Sequence, residues 1–472
     1  MKRIAHLIDC GRRSRTIALA VMFLFTLSGL CWAQAKETAT TDEILEILKE
    51  KGIVAGDQYE ELKKKAAEEK KKKETDYTVK WNNGINVDRN DGAFKVKIGG
   101  RIHFDWGLID PDSSLENNEN NELYGDNALK GDGVEFRRAR LYVEGTLWEN
   151  FVFKTQYDFA GGETAWKDVY LGMKKIPFLG ELLVGQMHEP FSLEELTSSN
   201  YNPFIERSLP TGAFAPSRKS GIRASNNFLG KRMTWAAGVF YGDTDDDGDS
   251  NFDDITNTDL TLRLTGLPIY ADDGKRLLHL GLGYSYQMRD EGQTDLRYRN
   301  RPETHLTDVR LVDTGTIDAD GANLLNPEIA LVWGPFSVQG EYFWTAVDST
   351  EANDPSFQGA YLFGSWFITG EHRKYSTSSG KFDRVKPQSN FMDGGLGAWE
   401  LALRWSWLDL NDENVRGGEE TNYTLGVNWY LNPNYRLLFN YIYADVEDRG
   451  SVEDDFQDGN ANIFAMRFQV DF

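Results

Sequence analysis

The segment N-I-F-A-M-R-F-Q-V-D-F at residues 462–472 ends the chain and indicates how the rest of it folds. Its apolar side chains alternate with polar or small ones, which is the period of a β-strand. Similar segments recur from Lys95 onwards, whereas no stretch after residue 35 approaches the roughly 20 apolar residues of a spanning helix. Because an open strand edge in hydrocarbon leaves backbone groups unpaired, the pattern predicts a closed transmembrane β-barrel. One face of the last strand would carry Phe464, Met466, Phe468, Val470 and Phe472.

The predicted fold is all-β, an antiparallel barrel of sixteen strands with short turns on the inner side and long loops on the outer side. The alternating segment 305–313 would add a seventeenth strand and break the even number, so we place it in an outer loop. Residues 370–395 form a long connection on the inner side that could fold back into the lumen. The predicted strands are 95–108, 133–148, 150–160, 165–175, 180–187, 218–228, 231–242, 258–268, 276–289, 325–333, 335–347, 357–369, 396–408, 421–431, 434–444 and 461–472.

Alternation also assigns side chains to lipid or to the lumen. In the first strand Val96 and Ile98 face lipid, whereas Lys97 and Arg101 face water. Tryptophans and tyrosines near the strand ends are typical of the two interfacial belts. The same parity turns several arginines inward, namely Arg138, Arg140, Arg263, Arg404, Arg436 and Arg467.

The N-terminal part predicts export. Basic residues precede an apolar run from Ile17 to Leu30, and Ala33-Gln34-Ala35 is a small-x-small cleavage pattern, so we expect a signal peptide over residues 1–35. Both cysteines, Cys10 and Cys31, lie within it, and the mature chain would carry no thiol. Residues 36–76 then form a short helical segment in the periplasm, either a small coiled coil or a loosely tethered helix, and the barrel occupies 77–472.

The net charge of −22 is concentrated in four stretches. They contain 25 acidic residues against two arginines, which leaves the rest of the barrel nearly neutral. We expect them to be outer loops, solubilised by their charge. The four stretches are 109–127, 243–254, 409–420 and 445–458.

One of these stretches also fits a calcium loop. Residues 243–254 follow the spacing D-x-D-x-D-G with a carboxylate at the twelfth position, although strands replace the usual flanking helices. A plain acidic surface loop is the alternative, and we expect no other cofactor. The candidate ligands are Asp243, Asp245, Asp247, Asp249 and Asp254.

Catalysis and nucleic-acid binding find no support in the sequence. The five histidines that remain after cleavage are isolated from one another, and no nucleophile or zinc motif accompanies them. The acidic outer face argues against nucleic acid as a partner. We therefore expect a protein that is not an enzyme.

Six motifs resemble the phosphate-selective porin O and P family. Their order and spacing across residues 77–472 make the resemblance specific, although the long loops have no match. The motifs are F-R-R-A-R-L-Y-V-E-G at 136–145, P-F-S-L-E-E-L at 190–196, F-I-E-R-S-L-P-T-G-A-F-A-P at 204–216, G-P-F-S-V-Q-G-E-Y at 334–342, T-G-E-H-R-K-Y with G-K-F-D-R-V-K-P at 369–387, and G-A-W-E-L-A-L-R at 397–404.

The resemblance implies a trimeric barrel whose third outer loop, fifth outer loop and long inner turn fold into the pore. Arginines and lysines would line the constriction and select anions, phosphate above all. Together with the inward strand positions, the implied anion path comprises Arg138, Arg140, Arg207, Arg218, Lys219, Arg223, Arg297, Arg299, Arg373, Lys374, Arg384, Lys386 and Arg404.

Two considerations keep other functions open. Each inward arginine could pair with an inward carboxylate such as Asp105 or Glu400 and merely brace the wall. The acidic mouth would repel anions within a Debye length of about 8 Å. The alternatives are a weakly selective or cation-preferring general porin with the same fold, or a non-conducting structural or adhesive barrel.

The sequence thus predicts a passive channel for phosphate or a similar oxyanion in the outer membrane of a Gram-negative bacterium. Its expected partners are small anions, outer-membrane lipid and lipopolysaccharide, and further copies of the chain in a homotrimer. The terminal Phe472 predicts recognition by the barrel-assembly machinery.

Overall fold

The computed structural model describes residues 41–55, 57–65, 76–116, 129–241, 257–289, 295–350, 353–449 and 458–472. The predicted signal peptide and the candidate calcium ligands Asp243, Asp245, Asp247, Asp249 and Asp254 lie outside these residues.

Sixteen antiparallel strands of the described chain form a closed barrel, as the alternation predicts. Each strand pairs with the next, and the last pairs with the first, with Arg467 opposite Asp105. The strands are β1 Phe94–Pro111, β2 Gly131–Leu147, β3 Phe151–Asp158, β4 Ala165–Ile176, β5 Gly180–His188, β6 Arg218–Phe228, β7 Met233–Tyr241, β8 Asn257–Ala271, β9 Arg276–Arg289, β10 Ile317–Trp333, β11 Phe336–Ser349, β12 Ser356–Phe367, β13 Ala398–Asp412, β14 Val415–Tyr430, β15 Tyr435–Arg449 and β16 Gly459–Asp471.

The outer ends of several strands extend further than predicted. Residues 409–420, predicted as a loop, are the tips of β13 and β14, which pair up to Asp412 opposite Val415. Antiparallel pairing satisfies the backbone there as well as a loop in water would. In the segment 305–313 only Val312–Asp313 is a strand, and it pairs with Arg299–Asn300 rather than joining the barrel, so the even number stands.

Three connections lie across the lumen and are named here. Loop 3 is residues 189–217, with the short helices Leu193–Leu196 and Leu209–Phe214. Loop 5 is residues 290–316, described from residue 295. The pore turn is residues 368–397, with a small hairpin of Lys374–Ser376 and Lys381–Asp383. A further helix, Ser113–Glu116, follows β1.

The barrel closes at the end that carries the short turns, which we call the inner rim. The Phe472 amide donates to the Gly100 carbonyl oxygen at 2.9 Å, and the Gly100 amide donates to the Phe472 carbonyl oxygen at 2.7 Å. Before β1, the strands Tyr77–Trp81 and Ile85–Arg89 form a hairpin that pairs with the first residues of β1. The Trp81 ring stacks on the Phe472 ring at 6.5 Å.

The N-terminal unit contains two short helices, Thr41–Glu50 and residues 57–65. Tyr59 is buried, and the Lys49 ammonium lies 4.2 Å from the centre of its ring. Ile47, Ile53 and Leu62 remain exposed in the single chain. None of the described helices is both long and apolar enough to cross a bilayer.

Closure leaves no room for a side chain at Gly99, because an added Cβ would lie 2.4 Å from the Phe472 carbonyl oxygen and 2.4 Å from the Tyr142 hydroxyl. We expect Gly99→Ala to destabilise the barrel by about 1–3 kcal/mol, as overpacking does. Gly133→Ala is the matched control on β2, where the nearest atom would be 3.9 Å away. Thermal unfolding followed by the gel mobility of folded and unfolded barrels measures both, and equal stability of the two variants would contradict the role of Gly99.

Candidate functional site

Loops 3 and 5 cover one half of the lumen, next to strands β9–β16. Their apolar side chains pack against the inner faces of these strands in one hydrophobic cluster. Inward side chains on this half are therefore buried under the loops. The cluster includes Phe191, Phe204, Leu209 and Phe214 from loop 3, Leu296, Tyr298 and Leu311 from loop 5, and Phe343, Phe357, Phe363, Leu408 and Ile442 from the wall.

Polar side chains of the wall satisfy the backbone of loop 3. Asn440 accepts from the Ile205 amide at 2.8 Å, and Asn428 donates to the Pro203 carbonyl oxygen at 2.9 Å. The Glu341 carboxylate accepts from the first amides of the helix Leu193–Leu196, at 3.0 and 2.7 Å. A buried loop needs such partners, because unpaired backbone groups are costly away from water.

The arginines under the loops make bracing contacts. Arg404 donates to Glu303 at 2.5 Å and is 1% exposed. Arg373 donates to Gln339 at 2.9 Å, and its guanidinium lies 3.6 Å from the centre of the Phe382 ring. Of the residues in the implied anion path, Arg373 and Arg404 thus have the least access to the lumen.

The other half of the wall, strands β1–β6, also presents cations, of which Arg138 and Arg140 are buried and the others are partly exposed. We call the cationic wall the side chains of Arg101, Arg137, Arg138, Arg140, Lys154, Arg218, Arg223 and Lys381, the last from the pore turn. Among the described residues, five carboxylates lie within 4.0 Å of these eight cations, which leaves an excess positive charge of three. The five are Glu144, Asp158, Asp168, Glu181 and Glu206.

A β-bulge concentrates arginines on β2. The pairing of β1 and β2 shifts register between His103 and Phe104, so one extra residue of β2 enters at this point. Arg137 therefore turns inward with Arg138, whereas simple alternation would place it in lipid. Both reach Glu206 of loop 3, at 2.9 and 3.6 Å.

Glu206 is the point where loop 3 meets three arginines. The third is Arg467, whose guanidinium donates to Glu206 at 2.8 Å while it also holds Asp105 in a two-point contact. Burial alone would raise the pKa of the Glu206 carboxyl, but the three arginines hold that pKa well below its ordinary value. Loop 3 is thereby anchored to the cationic wall by an ionised carboxylate.

Arg101 and Lys381 have no carboxylate within 4.0 Å in the described part of the chain. Arg101 donates to the hydroxyls of Ser198 and Ser199 at 3.2 and 3.0 Å. Lys381 lines a cavity of about 450 Å³ together with Arg223 and Lys174. Burial lowers the pKa of Lys381 to about 8, and the neighbouring Arg223 and Lys154 add to this shift. Neither side chain thus has its charge neutralised by a direct carboxylate partner among the described residues.

A buried network fixes the pore turn to the wall. Arg263 donates to both oxygens of Glu328, at 2.8 and 2.7 Å, and to the Gly380 carbonyl oxygen at 2.9 Å. His279 bonds to Glu328 at 3.0 Å and to the Tyr375 hydroxyl at 2.7 Å. These contacts hold the hairpin that carries Lys381.

The structure brings together four residues of the implied anion path, Arg138, Arg140, Arg218 and Arg223, on one wall. Most of the others pair with carboxylates outside the five named for that wall. Arg207 pairs with Glu195 at 2.8 Å, Lys219 with Asp259, Arg297 and Arg299 with Asp313 at 2.6 and 3.9 Å, Lys374 with Asp273 at 3.1 Å, Arg384 with Asp471, and Lys386 is exposed.

Sequence reasoning left four members of the cationic wall out of the path. Strand parity could have found Arg101 and Lys154, since both face the lumen on predicted strands. Arg137 depends on the bulge and Lys381 on the fold of the pore turn, and neither has a periodic signal.

A closed sixteen-stranded barrel, with a lumen narrowed by loops that fold inward, defines an outer-membrane porin. The sequence model of the family Phosphate-selective porin O and P matches residues 96–472. The chain belongs to that family. The protein is accordingly a porin of the outer membrane of a Gram-negative bacterium.

The relatives agree with this assignment. The chain is 26% identical to Porin O of Pseudomonas aeruginosa over 434 residues, which cover 84% of this chain and 93% of that protein. It is 29% identical over 404 residues to a protein of Caulobacter vibrioides described as uncharacterized, covering 84% of this chain and 77% of that protein. Among solved structures, OmpT of Vibrio cholerae has a TM-score of 0.50 at 13% identity, covering 80% of this chain and 98% of that chain.

The buried network that fixes the pore turn to the wall leads to a prediction about stability. Glu328→Gln leaves Arg263 buried with a weakened partner, and we expect a loss of up to about 3–5 kcal/mol, the cost of breaking a buried ion pair. Tyr375→Phe removes one hydrogen bond and should cost about 1 kcal/mol. Trypsin cleavage after Lys374 and Lys381, read by mass spectrometry, should be faster in Glu328→Gln than in Tyr375→Phe. Equal protection of the two variants would show that the network does not hold the turn.

Proposed function

We propose that the protein is an anion-preferring diffusion channel for phosphate or a similar oxyanion, and that the cationic wall forms its selective passage. The observation that carries the proposal is the excess of three positive charges among the eight cations and five carboxylates of that wall. A set of bracing ion pairs would instead be neutral. The family description, phosphate-selective porin O and P, supports the same class of solute.

The cations lie in successive levels along the wall. Arg138 is one level outward of Arg140, which stands opposite Arg101, and Lys154 pairs opposite Glu144, four residues inward of Arg140. Two residues of a strand span about 6.6–6.8 Å, so a small anion at Arg140 is within reach of Arg138, and the level of Lys154 lies about 13 Å further inward. Several weak sites in series favour both entry and release, whereas one deep site would retain the ion.

At each level, charged groups of the protein take the place of water molecules in the hydration shell of the anion. A phosphate that enters a narrow lumen loses water, and charge-assisted hydrogen bonds from guanidinium and ammonium groups compensate for that loss. Arginine suits this role because its planar group donates to two oxygens at once. The movement is passive and requires no cofactor.

The acidic outer surface is compatible with this function. Its charges are solvated and screened beyond a Debye length of about 8 Å, so they lower the rate of anion approach more than the preference at the wall.

We extend the proposal to a homotrimer that contacts lipid and lipopolysaccharide and is recognised through Phe472 during assembly. One structure of OmpT from Vibrio cholerae is described as a trimer form, with a TM-score of 0.50 at 12% identity to this chain, covering 80% of this chain and 100% of that one. The closed wall with its exposed apolar side chains supports the contact with lipid.

Reversal potentials in a planar bilayer test the selectivity. With a chloride or phosphate gradient, the wild-type channel should prefer anions. Arg101→Glu and Lys381→Glu should each lower the anion-to-cation permeability ratio several-fold, because neither side chain has a carboxylate partner whose burial the change would disturb. Lys231→Glu, an exposed position in an inner turn, is the control and should leave the ratio unchanged. A wild-type channel that prefers cations would refute the proposal.

The anion preference should also depend on pH through Lys381. Because burial lowers the pKa of this lysine to about 8, it is charged below that pH and loses its charge as the pH rises through it. The permeability ratio should therefore fall between about pH 7 and pH 9. Lys381→Arg should keep the high ratio over this range, and Lys381→Met should show the low ratio throughout. A wild-type ratio that is constant from pH 6 to pH 9.5 would exclude this role.

A further inference from the structure

The last part of the pore turn leaves the lumen and folds against the outside of the barrel. We call residues 390–396 the rim clip. The Gly395 amide donates to the Asn390 carbonyl oxygen at 3.1 Å, which closes a tight turn, and the Phe391 amide donates to the Leu431 carbonyl oxygen at 2.7 Å. The clip is therefore bonded both to itself and to the inner rim.

Two tryptophans hold the rim clip from the lipid side. Trp399 of β13 and Trp429 of β14 are opposite each other in register, and their rings stack at 5.1 Å with an angle of 18°. Both indole nitrogens donate to the Leu396 carbonyl oxygen, at 3.2 and 2.9 Å. The Phe391 ring packs edge-on against Trp429 at 4.8 Å.

The clip presents apolar side chains to the outside. Met392 is 87% exposed and Leu396 is 72% exposed, although a short turn in water would be expected to carry polar residues at such positions. Directly outward of Trp399 and Trp429, the same strands expose Leu403 and Leu425, which belong to the lipid-facing wall. The apolar surface of the clip thus continues that of the wall at the level where an aromatic belt meets the interface.

We propose that the rim clip inserts Met392 and Leu396 into the phospholipid leaflet at the inner rim. The occupant is lipid and not another protein, because the apolar surface is continuous with the wall and its two indoles already have their hydrogen-bond partner within the clip. Each indole would otherwise need a polar partner on burial. The membrane then anchors one end of the pore turn, while the network of Arg263, Glu328 and Tyr375 holds the hairpin within the lumen.

This anchor is independent of the proposed anion preference. The exposure of Met392 and Leu396, and the contacts of Trp399 and Trp429, require only the porin barrel. A channel without any anion preference could carry the same clip. Failure of one proposal therefore leaves the other standing.

Labelling in a bilayer tests the clip. Both natural cysteines lie in the predicted signal peptide, so Met392→Cys can carry a single environment-sensitive fluorophore in the mature protein. In proteoliposomes, lipid with a quencher near the top of the acyl chain should reduce its emission at least twofold, and aqueous iodide should have little effect. Ser378→Cys, an exposed position in the hairpin of the pore turn, is the control and should respond to iodide alone.

Two outcomes would overturn the proposal. Quenching of the label at position 392 by iodide would place the clip in water, and protection from both quenchers would place it against a second copy of the chain. A second measurement uses Met392→Ser combined with Leu396→Ser, which should fold because both side chains are exposed. Its trypsin cleavage after Arg384 should be at least fivefold faster than in wild type within liposomes, and Met392→Leu should match the wild type. Unchanged cleavage in the double serine variant would also refute the anchor.

Discussion

The closure of β16 on β1 is the constraint on which the rest of this structure depends. Hydrocarbon offers no partner to an unpaired amide or carbonyl, so the sheet is stable in a membrane only when its last strand meets its first. The exchange of hydrogen bonds between Phe472 and Gly100 completes that ring at its inner rim. The adjacent glycine at position 99 follows from the same requirement, because the chain end approaches the backbone too closely for a side chain.

A closed barrel encloses a polar lumen, and the loops divide that lumen into two unlike halves. On the covered half, arginines such as Arg404 and Arg467 are buried against carboxylates and carbonyl oxygens and stabilise the packing of loop 3. On the open half, cations outnumber their carboxylate partners. The same residue type therefore braces one wall and offers charge on the other, and the position of loop 3 decides which role each arginine has.

Much of the fold was predictable from the sequence, because a strand in a membrane has a strict period of two. The sixteen strands, the inward faces of Arg138 and Arg140, and an inward fold within residues 370–395 follow from that period and from loop lengths, although residues 390–396 fold against the outside of the barrel. The bulge at Arg137 was not predictable, since one added residue breaks the period without a signal of its own. The burial of Phe204 and Phe214 was also hidden, because loop 3 has no regular spacing that would mark its core side.

The contacts of Glu206 with Arg137, Arg138 and Arg467 have a consequence for how such channels diverge in evolution. A change of charge at any one of these four positions leaves the others without a matched partner, so tolerated changes there must come in compensating combinations. Arg101 and Lys381 have no carboxylate partner within 4.0 Å among the described residues, so a change of either residue needs no compensating change. Drift toward a different solute is therefore expected to begin at these two unpaired positions, while the arginine cluster around loop 3 is inherited nearly unchanged.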